Sequence, residues 1–298
     1  MATTLRIVTL GDSVPWGQGL PEEKRYDVLV REALRPKFPD ISLEHIAHSG
    51  AVIGAQGASG GVADGEVPVP RPTIIEQCDA FTNAPETVDL LLLNGGINDV
   101  GVARILNPFA IVPSLSARIR QACHDGMLTL LRKVSARFSK PSCRILVTGY
   151  YIVLSDQSDP LKIGRLLSLY GIARPPFSEI KSEVDFFNPI LDRCLRFFSE
   201  STAQLRQAIL EAGDPRIVFV PSGFTADNAV FAPNALLWGL NEQLGPEDPV
   251  AAERQIQCDL VHPPSDILGR IGCDRASAGH PNIAGAVQYA RQLLAVLP

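Results

Sequence analysis

Short, almost wholly apolar runs recur along this chain, each separated from the next by a longer stretch with helical spacing. That alternation narrows the fold more than any other feature, because it is the pattern of a parallel sheet wrapped in helices. Residues 5–10 (LRIVTL) read as a first buried strand ended by Gly11. Residues 22–34 follow as a helix, with Val28, Leu29 and Leu34 on one face. Residues 42–47 read as a second strand, and 88–93 (VDLLLL) as the clearest buried strand of all. Residues 116–138 are predicted helical, 144–149 a strand, 187–212 a long helix and 216–220 a strand. Residues 283–297 close the pattern as a helix entered just after Pro281. The predicted class is α/β.

Two regions break the alternation. Residues 151–181 are long for a connection and carry an apolar patch at 166–170, so a lid-like insertion is expected there. Residues 224–271, rich in Pro, Asn and Asp, read as an irregular loop region. No Ser/Gly linker or internal repeat divides the chain, so residues 1–298 are expected to form a single domain.

Of the 298 residues 46% are hydrophobic and 20% charged, enough apolar side chain to build a large core and too little charge for disorder. The net charge of −5, with Lys and Arg scattered, argues against a nucleic-acid partner. No run approaches the roughly 20 apolar residues of a membrane-spanning helix. The start lacks a charged-then-apolar leader, so the chain reads as cytoplasmic as written, or secreted if a signal peptide has been removed. Cys78, Cys123, Cys143, Cys194, Cys258 and Cys273 are dispersed without a CxxC pair, which excludes the usual zinc and thioredoxin patterns. Buried thiols are expected, with a Cys258–Cys273 bridge left open for an exported chain. Oligomeric state is not legible.

In an open parallel sheet, chemistry gathers at the C-terminal ends of the strands. Those ends carry Gly11-Asp12-Ser13, then His48-Ser49-Gly50, then Asn94-Gly95-Gly96-Ile97-Asn98-Asp99, and Gly279-His280-Pro281-Asn282 precedes the last helix. Together they hold what acyl transfer needs. A serine hydroxyl is a weak nucleophile until a base such as His280 takes its proton. The oxyanion then needs fixed donors, for which the N–H groups of Ser13 and Gly50 and the amide of Asn98 are suitable in kind.

These blocks resemble the SGNH, or GDSL-type, hydrolases. Gly11-Asp12-Ser13, Gly50, Gly96-Ile97-Asn98-Asp99 and His280 stand in that family's order across nearly the whole chain. The resemblance implies a three-layer α/β/α sandwich with a flavodoxin-like parallel sheet, carrying long insertions between its later strands. It implies Ser13 as nucleophile, His280 as general base, and an oxyanion hole of Ser13, Gly50 and Asn98. Asp12, Gly96 and Trp238 are expected near the substrate. A small-molecule ester substrate is implied, with no metal and no organic cofactor.

Two departures bear on the chemistry. Val14 stands where the GDSL name has leucine. The family's Asp three residues ahead of the histidine is Ser277 here. His280 is then oriented by Asp274 or by a backbone carbonyl, or else Asp259 and His262 form the working pair at Asp-x-x-His spacing; Asp259 reaching His280 through the folded loop is a third arrangement. The expected activity is hydrolysis of short- to medium-chain acyl esters through an acyl-enzyme. A carbohydrate acetyl-esterase of the same fold and a non-catalytic binding module are the alternatives. Other readings of single blocks are plainer: Asp12 and Ser13 can cap a helix, Asn98 and Asp99 can form an Asx turn, and His45, His48 and His124 read as satisfied or solvated. The Gly-rich stretch 54–61 lacks the spacing of a dinucleotide loop and is expected to be a mobile loop beside the site, and neither a GxSxG elbow nor a Walker loop is present.

Overall fold

Apolar residues that are buried on both faces favour the centre of a parallel sheet, and the chain places its most continuous run there. In a computed structural model, which describes residues 4–54, 60–63, 65–169, 172 and 183–297, the strands are β1 (Leu5–Leu10), β2 (Ile41–His45), β3 (Leu90–Leu93), β4 (Arg144–Thr148) and β5 (Ile217–Val220). They form one all-parallel sheet in the order β2-β1-β3-β4-β5. All four leucines of β3 are buried, whereas the edge strand β2 is half-buried throughout.

The helices in chain order are α1 (Ser13–Trp16), α2 (Tyr26–Leu34), α3 (Ile74–Ala80), α4 (Ile97–Val100), α5 (Val102–Leu106), α6 (Val112–Arg120), α7 (Met127–Arg137), α8 (Pro160–Leu169), α9 (Glu183–Ala212), α10 (Ala251–Val261), α11 (Ile267–Asp274) and α12 (Ile283–Ala295). Helix α2 packs on α12, while α5, α6 and α7 pack on α9 and α3 packs on α7, so the sheet is covered on both faces in a three-layer α/β/α sandwich. Because order reverses between β2-β1 and β3-β4-β5, the C-terminal ends of β1 and β3 flank the topological switch point, where such sheets open a crevice.

Three expectations are corrected. The helix read over 22–34 is a 3-10 turn (Glu22–Lys24) followed by α2, broken at the extended Arg25. The helix read over 116–138 begins earlier and passes through a π-helical turn, Gln121–Gly126, whose Cys123 Sγ lies against Gly96. Residues 224–271 are not irregular throughout, since α10 lies within them and α11 begins there, the two helices joined by a Cys258–Cys273 disulfide. Cys78, Cys123, Cys143 and Cys194 are buried free thiols. Much of the expected lid, residues 170–171 and 173–181, and positions 55–59 of the Gly-rich stretch lie outside the described residues.

Candidate active site

Ser13 is the first residue of α1, immediately after β1 ends. Asp12 caps that helix, its carboxylate accepting from Val14 N at 2.9 Å. The cap is thus made by Asp12 and leaves the Ser13 hydroxyl out of it. As an N1 residue, Ser13 has a backbone N–H with no helical partner, and it donates to no other described residue. Asp12 is fully buried and also accepts from the Tyr150 hydroxyl at 2.8 Å, while that hydroxyl accepts from Ile97 N at 2.9 Å. Burial pushes the Asp12 carboxyl up to about 6, against the lowering pull of those two hydrogen bonds. Asp12 thus lies beneath Ser13 as a strut between strand ends.

Gly50 follows β2 with φ +78, and a Cβ there would come within 2.5 Å of Val69 N. Only glycine fits such a backbone, both for its left-handed torsion and for this close approach. Its N–H also makes no hydrogen bond to a described residue. Asn98, in α4, donates one amide N–H to Ala51 O at 3.0 Å. That bond fixes which end of the amide faces the Gly50 loop and leaves its second N–H free to donate. Asp99 accepts from Ile53 N at 3.0 Å, so Asn98 and Asp99 both brace the segment after Gly50. Burial pushes the Asp99 carboxyl up to about 6. Gly96 is buried at the start of α4.

His280 is delivered by the turn ahead of α12. Its backbone is pinned on both sides: Trp238 N donates to His280 O at 2.7 Å and Gly279 N to Trp238 O at 2.9 Å. Asn282 caps α12 through Gly285 N at 3.0 Å, and a Cβ at Gly285 would lie 2.2 Å from Leu236 O, which accounts for the Asn and Gly of this block. The Tyr151 hydroxyl donates to Gly279 O at 2.9 Å. Held in this way, His280 Nε2 stands 2.7 Å from Ser13 Oγ. The closely surrounding protein pulls the His280 pKa down to about 4, loss of hydration being the main cause.

Among the described residues no carboxylate bonds the other ring nitrogen. His280 Nδ1 makes no hydrogen bond of ordinary geometry, and the nearby carbonyls of Ser277 and Ala276 favour protonation of the ring. Asp274 makes no hydrogen bond to the ring, its Oδ1 and His280 Nδ1 both being without a partner among the described residues. The Asp259–His262 pair does not form either. Asp259 pairs with Arg270, and His262 with Asp266 at 2.8 Å, both on the outer side of α10 and α11. Nor does Asp259 reach His280.

Behind the histidine lies a buried ionic cluster that the sequence did not announce. Arg254, fully buried on α10, donates to Asp248 Oδ2 at 2.6 Å, Asp248 Oδ1 at 3.1 Å, Glu66 Oε2 at 2.7 Å, Ser277 Oγ at 3.3 Å and Asp274 O at 3.0 Å. All of its N–H directions are thereby used. The Ser277 hydroxyl donates to Asp248 Oδ2. Glu66 in turn accepts from Gln18 Nε2 at 2.9 Å, and Ser49 donates to Gln18 Oε1. Tyr150 could have been suspected from its place just past β4; no local spacing marks Asp248, Arg254 or Glu66.

A narrow pocket opens on His280, Gly279 and Asn98, walled by Val14, Ile97, Val102, Leu106, Tyr151 and Val153. On the other side of Asn98 lies a more polar cleft bordered by Asp99, Arg118, Gln121 and Asp125. Trp238 does not line the pocket; its backbone brackets His280 and its indole Nε1 is buried beside Gly19. His45 pairs with the buried Asp27 at 2.6 Å, His48 with backbone carbonyls, and His124 with Asp125 and Glu211.

The chain is similar in structure to an extracellular lipase from Streptomyces rimosus, with 16% identity, 98% of this chain and 100% of that chain covered, and a TM-score of 0.56. It is likewise similar to phospholipase A1 from Streptomyces albidoflavus NA297, with 14% identity, coverage of 98% and 99%, and a TM-score of 0.55. The lipase Lip_vut3 from a goat rumen metagenome aligns at 14% identity over 98% of this chain and 96% of its own, with a TM-score of 0.50. No family model and no curated protein matches the sequence. At these identities the likeness establishes a shared fold, that of the α/β sandwich these lipases adopt.

Proposed function

We propose that this chain is a serine carboxylic-ester hydrolase of the SGNH type, working on short- to medium-chain acyl esters through an acyl-enzyme. The observation that carries the reading is the 2.7 Å contact between His280 Nε2 and Ser13 Oγ. In the proposed reaction Ser13 Oγ attacks the ester carbonyl carbon as His280 Nε2 takes its proton. The oxyanion is held by the N–H groups of Ser13 and Gly50 and by the free amide N–H of Asn98. His280 returns the proton to the departing alcohol, and water repeats the sequence on the acyl-enzyme. The apolar pocket beside His280 suits an acyl chain. The fold shared with lipases and a phospholipase A1 agrees with ester chemistry.

The polar cleft beyond Asn98 favours one second reading, a polar alcohol such as an acetylated sugar. A binding module without activity is disfavoured, since it has no use for a hydroxyl held in register with an imidazole. The Cys258–Cys273 bridge favours an oxidising compartment over the cytoplasm. Among the described residues, no helix is long and apolar enough to cross a membrane. The test is hydrolysis of p-nitrophenyl esters from acetate to long-chain, and of acetylated sugars, by wild type and Ser13→Ala. Turnover that is lost with Ser13 supports the serine reading and gives the chain-length optimum; turnover that survives the substitution refutes it.

A further inference from the structure

The place of the acid three residues before His280 is taken by Ser277, yet a carboxylate lies directly behind that serine. We propose that Asp248 is the positioning carboxylate of this site, acting on His280 through Ser277. The inference rests on the reading of Ser13 and His280 as nucleophile and base.

Its grounds are geometric. The Ser277 hydroxyl donates to Asp248 Oδ2 and accepts from Arg254 Nη2 at 3.3 Å, so the side chain is held in one orientation. The Ser277 carbonyl accepts from His280 N at 2.8 Å, which ties the same residue to the backbone that carries the imidazole. Asp248 has no exposed side-chain surface and is gripped by Arg254 in two-pronged fashion. A buried carboxylate is costly unless fully bonded, and here the bonding is complete and directed at the histidine turn. The chain of contacts Ser49–Gln18–Glu66–Arg254–Asp248–Ser277 also joins the loop of Gly50 to the loop of His280. Asp248 thus fixes the ring's platform and adds negative charge on the side where an imidazolium forms.

The charged groups around His280 are Asp248, ahead of α10; Arg254, on α10; Glu66, after β2; and Asp274, at the end of α11. Asp12 lies below Ser13. Arg254 opposes protonation of His280 and Asp248 favours it. Removing the Asp248 charge is therefore expected to move the acid limb of the kcat/KM profile to lower pH while making His280 a weaker base.

The experiment follows Ser13 labelling by a fluorophosphonate and p-nitrophenyl ester hydrolysis against pH, in wild type, Asp248→Asn, Ser277→Ala and the double variant Asp248→Asn/Ser277→Asp. Asp248→Asn is expected to label at least ten-fold more slowly at pH 7, with KM little changed and the acid limb lowered. Ser277→Ala should shift both in the same direction by less. The double variant, which restores Asp-x-x-His spacing, should regain most of the loss. A folded Asp248→Asn that melts earlier but keeps its labelling rate and acid limb overturns the inference. If that variant does not fold, Ser277→Ala with an unchanged rate and limb overturns it equally. A wild type that fails to label at Ser13 sinks the serine reading itself, and so is distinguished from failure of the positioning role.

Discussion

The hydroxyl of Tyr150 stands 2.8 Å from the carboxylate of Asp12, one residue before Ser13, and so links the end of β4 to the end of β1. The same oxygen accepts from Ile97 N, one residue before Asn98. One phenol thereby sets the spacing of the serine and the amide. Tyr150→Phe leaves a buried N–H and a buried carboxylate each short of a bond, which costs about 1–3 kcal/mol per group. Urea unfolding should show the loss, and kcat should fall along with it.

Asn98→Ala removes an amide whose second N–H is free to meet developing negative charge. Loss of one such donor lowers kcat by about 10²–10³. KM for p-nitrophenyl esters should change little, because the ground-state carbonyl carries less charge. Steady-state kinetics on the pure variant decide it.

Gly50→Ala meets both a left-handed torsion and Val69 N at 2.5 Å from the new Cβ. The loop must move, so its N–H leaves the site. Slower fluorophosphonate labelling of Ser13 with an unchanged circular dichroism spectrum is expected.

The pH dependence of stability has a definite sign. Burial holds the His280 pKa at about 4, below its ordinary 6.5, so the unfolded chain binds this proton more readily. Its contribution is complete above 6.5 and is lost as pH falls through 4. Asp12 and Asp99, raised from 3.8 to about 6, act oppositely: their contribution is present below 3.8 and is lost as pH rises through 6. His280→Gln removes only the first effect. The stability of wild type relative to this variant should therefore grow as pH rises from 4 to 6.5, read from urea midpoints.

Much of this was legible in the sequence because it is local. β1 matches its expected span, and β3, β4 and β5 fall within theirs, since runs such as Leu90–Leu93 are buried wherever the helices pack. That Ser13, Asn98 and His280 lie at one end of the sheet was legible because each stands beside a strand end or helix cap. Asp248 was not. It lies 29 residues before Ser277, and its bond to that serine arises only from tertiary folding. The helices α10 and α11 were hidden by the Pro- and Asp-rich surroundings of residues 224–271, and α10 carries the arginine that makes the carboxylate tolerable inside.

Ser13 Oγ and His280 Nε2 meet from positions 267 residues apart. A chain emerging N-terminus first therefore carries Ser13 long before His280 exists to stand beside it. The imidazole reaches the hydroxyl only once the turn ahead of α12 is in place and α12 is docked on α2, so on the proposed reading activation of the serine waits for that docking. On the proposed reading of Ser13 and His280, a chain that still lacks residue 280 is expected to leave esters around it intact.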